Sequence, residues 1–191
     1  MLMPLSKRGS GAGSGALIVY LLFFYFLSNI CIAQDAEKKE ADNEKMKTVA
    51  LEMMRDAHYC GLVTLDETGR PQVRTMNPYP QSDDMVIWFA TNRESRKVKE
   101  IKNDSRVCVY YANHEKPVGY VSVSGTAEII DDKQAVIDHK REYWVGTIPD
   151  WENTLVLIKV TPITLDIINY KNNLTGDSTW RSPSMDFEDK P

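Results

Sequence analysis

A small, mainly β domain is the fold class this sequence predicts: an antiparallel barrel of six or seven strands with flanking helices packed outside. Three observations carry it. Short β-prone runs separated by turn residues follow one another from residue 59 to residue 170. Only two or three stretches between them have the apolar spacing of a helix, whereas a parallel sheet needs a helix in nearly every crossover. No G-x-G-x-x-G follows any of the strands, so a dinucleotide-binding parallel sheet has no support in the glycines.

The elements follow in order. Of the 191 residues 42% are apolar and 26% charged, an ordinary globular composition. Residues 1–33 stand apart. Lys7 and Arg8 precede a Gly/Ser spacer and a run from Ala16 to Ala33 without a charge. It ends in Cys31-Ile32-Ala33, a small-x-small cleavage pattern, so the expectation is a signal peptide and a mature chain beginning at Gln34. Two alternatives stay open: an uncleaved membrane anchor, since the run is at the lower edge of spanning length, and lipidation of Cys31, for which Ser28-Asn29-Ile30 is a poor context. In each version the domain is exported, periplasmic or extracellular. Residues 34–45 read as a charged, mobile lead-in.

Met46, Val49, Ala50, Met53 and Met54 then recur at helical spacing up to Ala57. "YCGLVTLD" and "PQVRTMNPYP" read as strands joined at "ETGR", a turn with glycine for a positive φ. "DMVIWFAT", "SRVCVYYAN" and "GYVSVSGTAEII" are a third, fourth and fifth strand. "DDKQAVIDHKREYWV" fits a helix capped by Asp131 or Asp132, and "NTLVLIKVTPITLDIINY" fits two more strands interrupted by Pro162. The domain therefore runs from 46 to 171. The tail, 172–191, is polar, with Trp180 and Phe187 as its large anchors.

Charge and cysteine usage narrow the function. The formal charge is −4, and removing the leader takes Lys7 and Arg8 with it, so no nucleic-acid footprint is expected. Cys60 and Cys108 either form a disulfide, as export would allow, or pack as buried thiols. His58, His114 and His139 make no metal spacing with them, and no metal site is expected.

The residues that point to chemistry lie in "FATNRESRKVKEIKND". Reading "ESRKVKEIKN" as a helix with Val98 and Ile101 on its buried face puts Ser95 at the N-cap and Arg96 and Lys97 in the first turn. Cations there oppose the helix dipole. A bound phosphate would reverse that, served by backbone N–H groups, Thr91, Ser95, a guanidinium and an ammonium together. A solvated basic turn reads equally well on residue types alone. Arg74, in the preceding strand, favours the phosphate, because neighbouring strands usually pair and would bring it within reach.

With these residues on the page, the order of elements from Met46 to Tyr170, and above all T-N-x-x-S-R-K at Thr91–Lys97, resembles the pyridoxamine 5′-phosphate oxidase-like split-barrel flavoproteins. Within them it is most similar to the general-stress-protein branch. The resemblance implies FMN bound at the interface of a homodimer. Arg74 and Lys97 would hold its phosphate beside Ser95 and Arg96. Thr75, Met76 and Asn77 would follow the isoalloxazine, Ala90 and Thr91 the phosphate and ribityl chain, and Tyr120 would approach flavin from the partner subunit. The C-terminus lacks the basic R-x-H-x-R-type segment of the true oxidases, so vitamin B6 oxidation is not expected, and no catalytic side chain stands out. The expected function is an exported FMN-dependent oxidoreductase with a small-molecule electron donor or acceptor. The alternatives are a non-catalytic flavin- or haem-binding stress protein and, more remotely, a deazaflavin enzyme.

Overall fold

In a computed structural model the described residues are 14–113 and 119–187, with side chains from residue 32 onward. Residues 1–13 of the expected leader, and its side chains up to residue 31, lie outside them. The chain divides into two compact units, 1–44 and 45–191. In the first, every described residue is helical, the start of α1 (Ser14–Ala57). The charged stretch 34–45 is thus helix rather than an irregular lead-in. Ala36, Glu37, Lys38, Lys39, Glu40 and Ala41 are strong helix formers, and Asp35–Lys39 adds an i,i+4 charge pair.

The second unit is one antiparallel sheet with its helices. Its strands are β1 (Cys60–Leu65), β2 (Pro71–Met76), β3 (Ile87–Asn92), β4 (Arg106–Ala112), β5 (Gly119–Ile130), β6 (Leu155–Asn169) and β7 (Ser184–Asp186). They run β2-β1-β4-β5-β6-β3, with β7 on β6, and the sheet curls into the split barrel. Period-2 alternation fixes which face is inside. Cys60, Leu62 and Thr64 of β1, Val107, Val109 and Tyr111 of β4, and Val121 and Val123 of β5 are all buried. Met46, Val49, Ala50, Leu51 and Met54 of α1 join this core, which is why that helix repeats at helical spacing. A second, smaller cluster forms where Trp144, Val136, Leu155 and Leu157 pack together.

Three expectations need correction. Pro162 does not divide two strands. β6 runs through it as one strand, and the register against β5 shifts there, between Ser124 and Gly125. A bulge is where a sheet tolerates a residue without an N–H. Gly125 sits opposite, where a Cβ would fall 2.2 Å from the Thr161 carbonyl oxygen. The helix predicted over 131–145 is α3 (Lys133–Asp138), capped by Asp132, whose carboxylate accepts from Ala135 N at 2.7 Å. A separate 3₁₀ turn follows at Glu142–Trp144, and a short α4 at Trp151–Thr154 was not foreseen. In the tail, Trp180 is 87% exposed and anchors nothing, whereas Phe187 packs against the core as expected, with Met185 beside it. Cys60 and Cys108 are both free thiols.

Candidate functional site

The basic turn forms as its residue pattern dictates. β3 ends at Asn92, and α2 (Arg96–Asn103) begins after N-cap Ser95, whose side chain makes no capping hydrogen bond. The Ser95 hydroxyl lies 3.4 Å from Thr91 Oγ1. Lys97 Nζ donates to that same Thr91 oxygen at 2.9 Å. Burial, and next the positive charge of Arg74, hold Lys97 below the usual lysine pKa range, with Glu100 opposing. Two hydroxyls, an ammonium and an uncapped helix N-terminus therefore meet at one place.

Arg74 does come to this helix, though by another route than expected. β2 pairs with β1 and not with β3; the two strands lie at opposite ends of the sheet order. Curling brings the inward face of β2 to α2. There Arg74 Nη2 meets Glu100 Oε2 at 2.7 Å, while Nη1 donates to Thr64 Oγ1 at 2.5 Å and to the Leu62 carbonyl at 3.2 Å. Glu100 also faces Arg96, whose Nε is 2.9 Å from Oε1. Glu100 and Thr64 were missed in the sequence. Their signals were an acid on the face of α2 that also carries Ile101, and a hydroxyl in the inward register of Cys60 and Leu62.

The remaining predicted residues are spread out. Thr75 is exposed, while the Met76 side chain is buried and its carbonyl lies 3.9 Å from Cys60 Sγ. Burial pushes that thiol up to about 12. Ala90 packs on the second cluster, the opposite face of β3 from Thr91. Asn77 lines a cavity of about 550 Å³ with His58, Tyr59 and Arg141. Arg141, another residue not foreseen, donates to the Asn77 and Pro78 carbonyls at 3.2 and 2.8 Å and lies 4.2 Å over the Tyr79 ring. Tyr120 borders a third cavity, about 400 Å³, with Tyr110, Tyr170 and Trp180. Its ring stands 5.6 Å from that of Tyr110, and its hydroxyl is 2.6 Å from Ser182 Oγ. Arg96 and Glu100 line a cavity of about 460 Å³ beside Asp66 and Gln72. Among the described residues, then, Arg74, Thr91, Ser95, Arg96 and Lys97 gather around α2, while Asn77 and Tyr120 belong to separate cavities.

Fold and site together define a split-barrel protein with a basic, hydroxyl-rich turn between its third strand and the helix that follows. Residues 44–165 match the family model "Pyridoxamine 5'-phosphate oxidase like", and the chain belongs to that family. No curated protein matches it. Among solved structures, a protein related to general stress protein 26 from Clostridium acetobutylicum superposes with a TM-score of 0.63 at 16% identity, over 76% of this chain and 96% of that one. General stress protein 26 from Bacillus anthracis gives 0.55 at 24% identity, covering 64% and 92%. A pyridoxamine 5′-phosphate oxidase-related, FMN-binding protein from Nostoc punctiforme gives 0.52 at 16%, covering 74% and 94%. At these identities the likeness is one of fold.

Proposed function

We propose that the protein is an exported FMN-binding split-barrel protein that works as a flavin-dependent oxidoreductase on a small-molecule partner. One observation carries the reading: Arg74, Arg96 and Lys97, from two different elements, stand with Thr91 and Ser95 along the first two turns of α2. A phosphate monoester is the anion such a set suits, because hydroxyls and backbone N–H groups supply direction and the cations supply charge. Arg74 and Lys97 bind the phosphate, Ser95 and Arg96 flank it, and Thr91 orients Lys97. When bound, FMN supplies two-electron redox chemistry. Thr75, Met76 and Asn77 offer it backbone groups, and Ala90 lies along its ribityl chain.

The separation of Tyr120 from the basic turn favours a homodimer, in which a second copy brings the Tyr120 cavity to the flavin. The outward face of β2 and β4 supports this, with Val73 70% and Tyr110 39% exposed. The apolar run 16–33 supports export, with cleavage before Gln34 or retention as an anchor. A carrier that binds FMN without turnover is the second reading, since the groups gathered at the turn, Thr91, Ser95 and Lys97, are binding groups.

The test is the absorbance spectrum of the purified full chain, with and without added FMN, beside Arg96→Ala/Lys97→Ala. A bound-flavin spectrum weakened in the double variant is expected. A folded wild-type chain that retains no flavin would rule the reading out. Turnover with a reductant then separates enzyme from carrier.

A further inference from the structure

We propose that Glu100 is a positioning residue for anion binding: its buried carboxylate aims the guanidinium groups of Arg74 and Arg96 at one site beside Lys97 and Thr91. The proposal rests on the flavin-phosphate reading and deepens it.

The Glu100 side chain is 4% exposed on α2, next to Ile101 of the core. Oε2 accepts from Thr64 Oγ1 at 2.5 Å and from Arg74 Nη2 at 2.7 Å. Oε1 has no aligned hydrogen bond, although Arg96 Nε lies 2.9 Å away. Burying a carboxylate costs several kcal/mol, and a buried ion pair rarely returns more than an apolar side chain would give at the same place. Stability alone is thus a poor reason for an acid here.

Geometry supplies a better one. Arg74 comes from β2 and Arg96 from α2, and like charges brought together splay apart unless something between them is negative. Burial is the main reason Lys97 leans toward its neutral form, and both arginines add to it while Glu100 works against them. A guanidinium carries five N–H groups. Glu100 takes one N–H of Arg74 and pairs ionically with Arg96 at Nε, which leaves donors on both for an incoming anion. Thr64 fixes the carboxylate from below, and Gln72 Oε1 accepts from Arg96 Nη2 at 3.2 Å. The anion thus meets cations already oriented.

Two effects oppose each other on removing the charge. Glu100→Gln relieves the repulsion between carboxylate and phosphate, which tightens binding, and frees the arginines, which weakens it. Positioning dominates, because two guanidinium groups already neutralise the carboxylate. The experiment titrates the full chain with FMN and with riboflavin, which lacks the phosphate, following flavin fluorescence, alongside a thermal melt. In Glu100→Gln the FMN Kd is expected to rise about tenfold, the worth of one charge-assisted hydrogen bond, with the riboflavin Kd unchanged. Equal weakening of both ligands marks a merely structural residue and overturns the proposal. Unchanged or tighter FMN binding overturns it too. If Glu100→Gln does not fold, Glu100→Asp keeps the charge and shortens the reach of the carboxylate to both arginines, and the same FMN-selective loss is expected. A wild-type chain with no preference for FMN over riboflavin sinks the phosphate reading itself, before any substitution is made.

Discussion

The surroundings of α2 and those of the C-terminal tail solve opposite problems. Around α2 four polar residues are half-buried or buried and tie to one another or to Arg74, Glu100 to Thr64 and Arg74 and Lys97 to Thr91, with Arg96 exposed at the rim. At the tail the rings of Tyr110, Tyr170 and Trp180 are left open to solvent; beyond the pairing of β7 on β6, its polar ties include Tyr120 to Ser182 and a turn at Asp177 that accepts from Thr179 and Arg181. Charge needs its geometry set in advance, because reorienting a desolvated cation is costly. Ring faces tolerate several partners and orientations. One region has its polar groups tied down by one another, and the other leaves ring faces open.

The strongest way to break this contrast is Arg74→Ala. It leaves the Glu100 carboxylate buried without its closest cation, and a loss of about 3–5 kcal/mol is expected in urea unfolding. A loss below about 1 kcal/mol would mean that the cluster is not a fixed unit. Second comes pH. Burial and Arg74 hold Lys97 below the usual lysine range, so it loses its proton earlier on the way up. FMN affinity is therefore expected to be full while Lys97 is charged and to fall as pH rises through that lowered value, by an amount on the order of 1.5–3 kcal/mol for one charged hydrogen bond. Lys97→Arg should abolish the fall; titrations at stepped pH decide it. At the tail the effects shrink. Tyr120→Phe removes one hydrogen bond to Ser182 and is expected to cost about 1 kcal/mol in a thermal melt. Trp180→Ala, at an 87% exposed residue, is expected to change stability by less than about 0.5 kcal/mol. A larger loss there would show that the tail is as rigid as α2.

Most of the fold was legible in the sequence because the strands alternate. "GYVSVSGTAEII" is β5 to the residue, and Asp132 caps α3 as its position suggests. The misreadings share a cause: each depended on a partner distant in the chain. Pro162 looked like a break until β5 was seen to yield a register shift opposite it. Trp180 looked like an anchor because it is large, yet Met185 and Phe187 pack on the core while Trp180 does not. Arg74 was placed near the turn on an assumption of strand pairing; the curl of the sheet, invisible in any local pattern, is what delivers it. Glu100 escaped notice because an acid in a charged helix reads as solvated, and only the approach of Thr64 and Arg74 shows otherwise.

The register of β3 sets an order of assembly. β1 finds β2 across a short turn, but Ile87 waits for Val160, roughly 70 residues later, a pairing of the slow, non-local kind. Arg74, Thr91, Ser95, Arg96 and Lys97 are all made long before β6, and Thr91 then pairs with Val156. Of the cluster around α2, Thr91 alone is held by β6, so its place in the sheet waits for that strand. A nascent chain halted before residue 155 would carry every cation of the turn and still lack the strand that holds β3 in place.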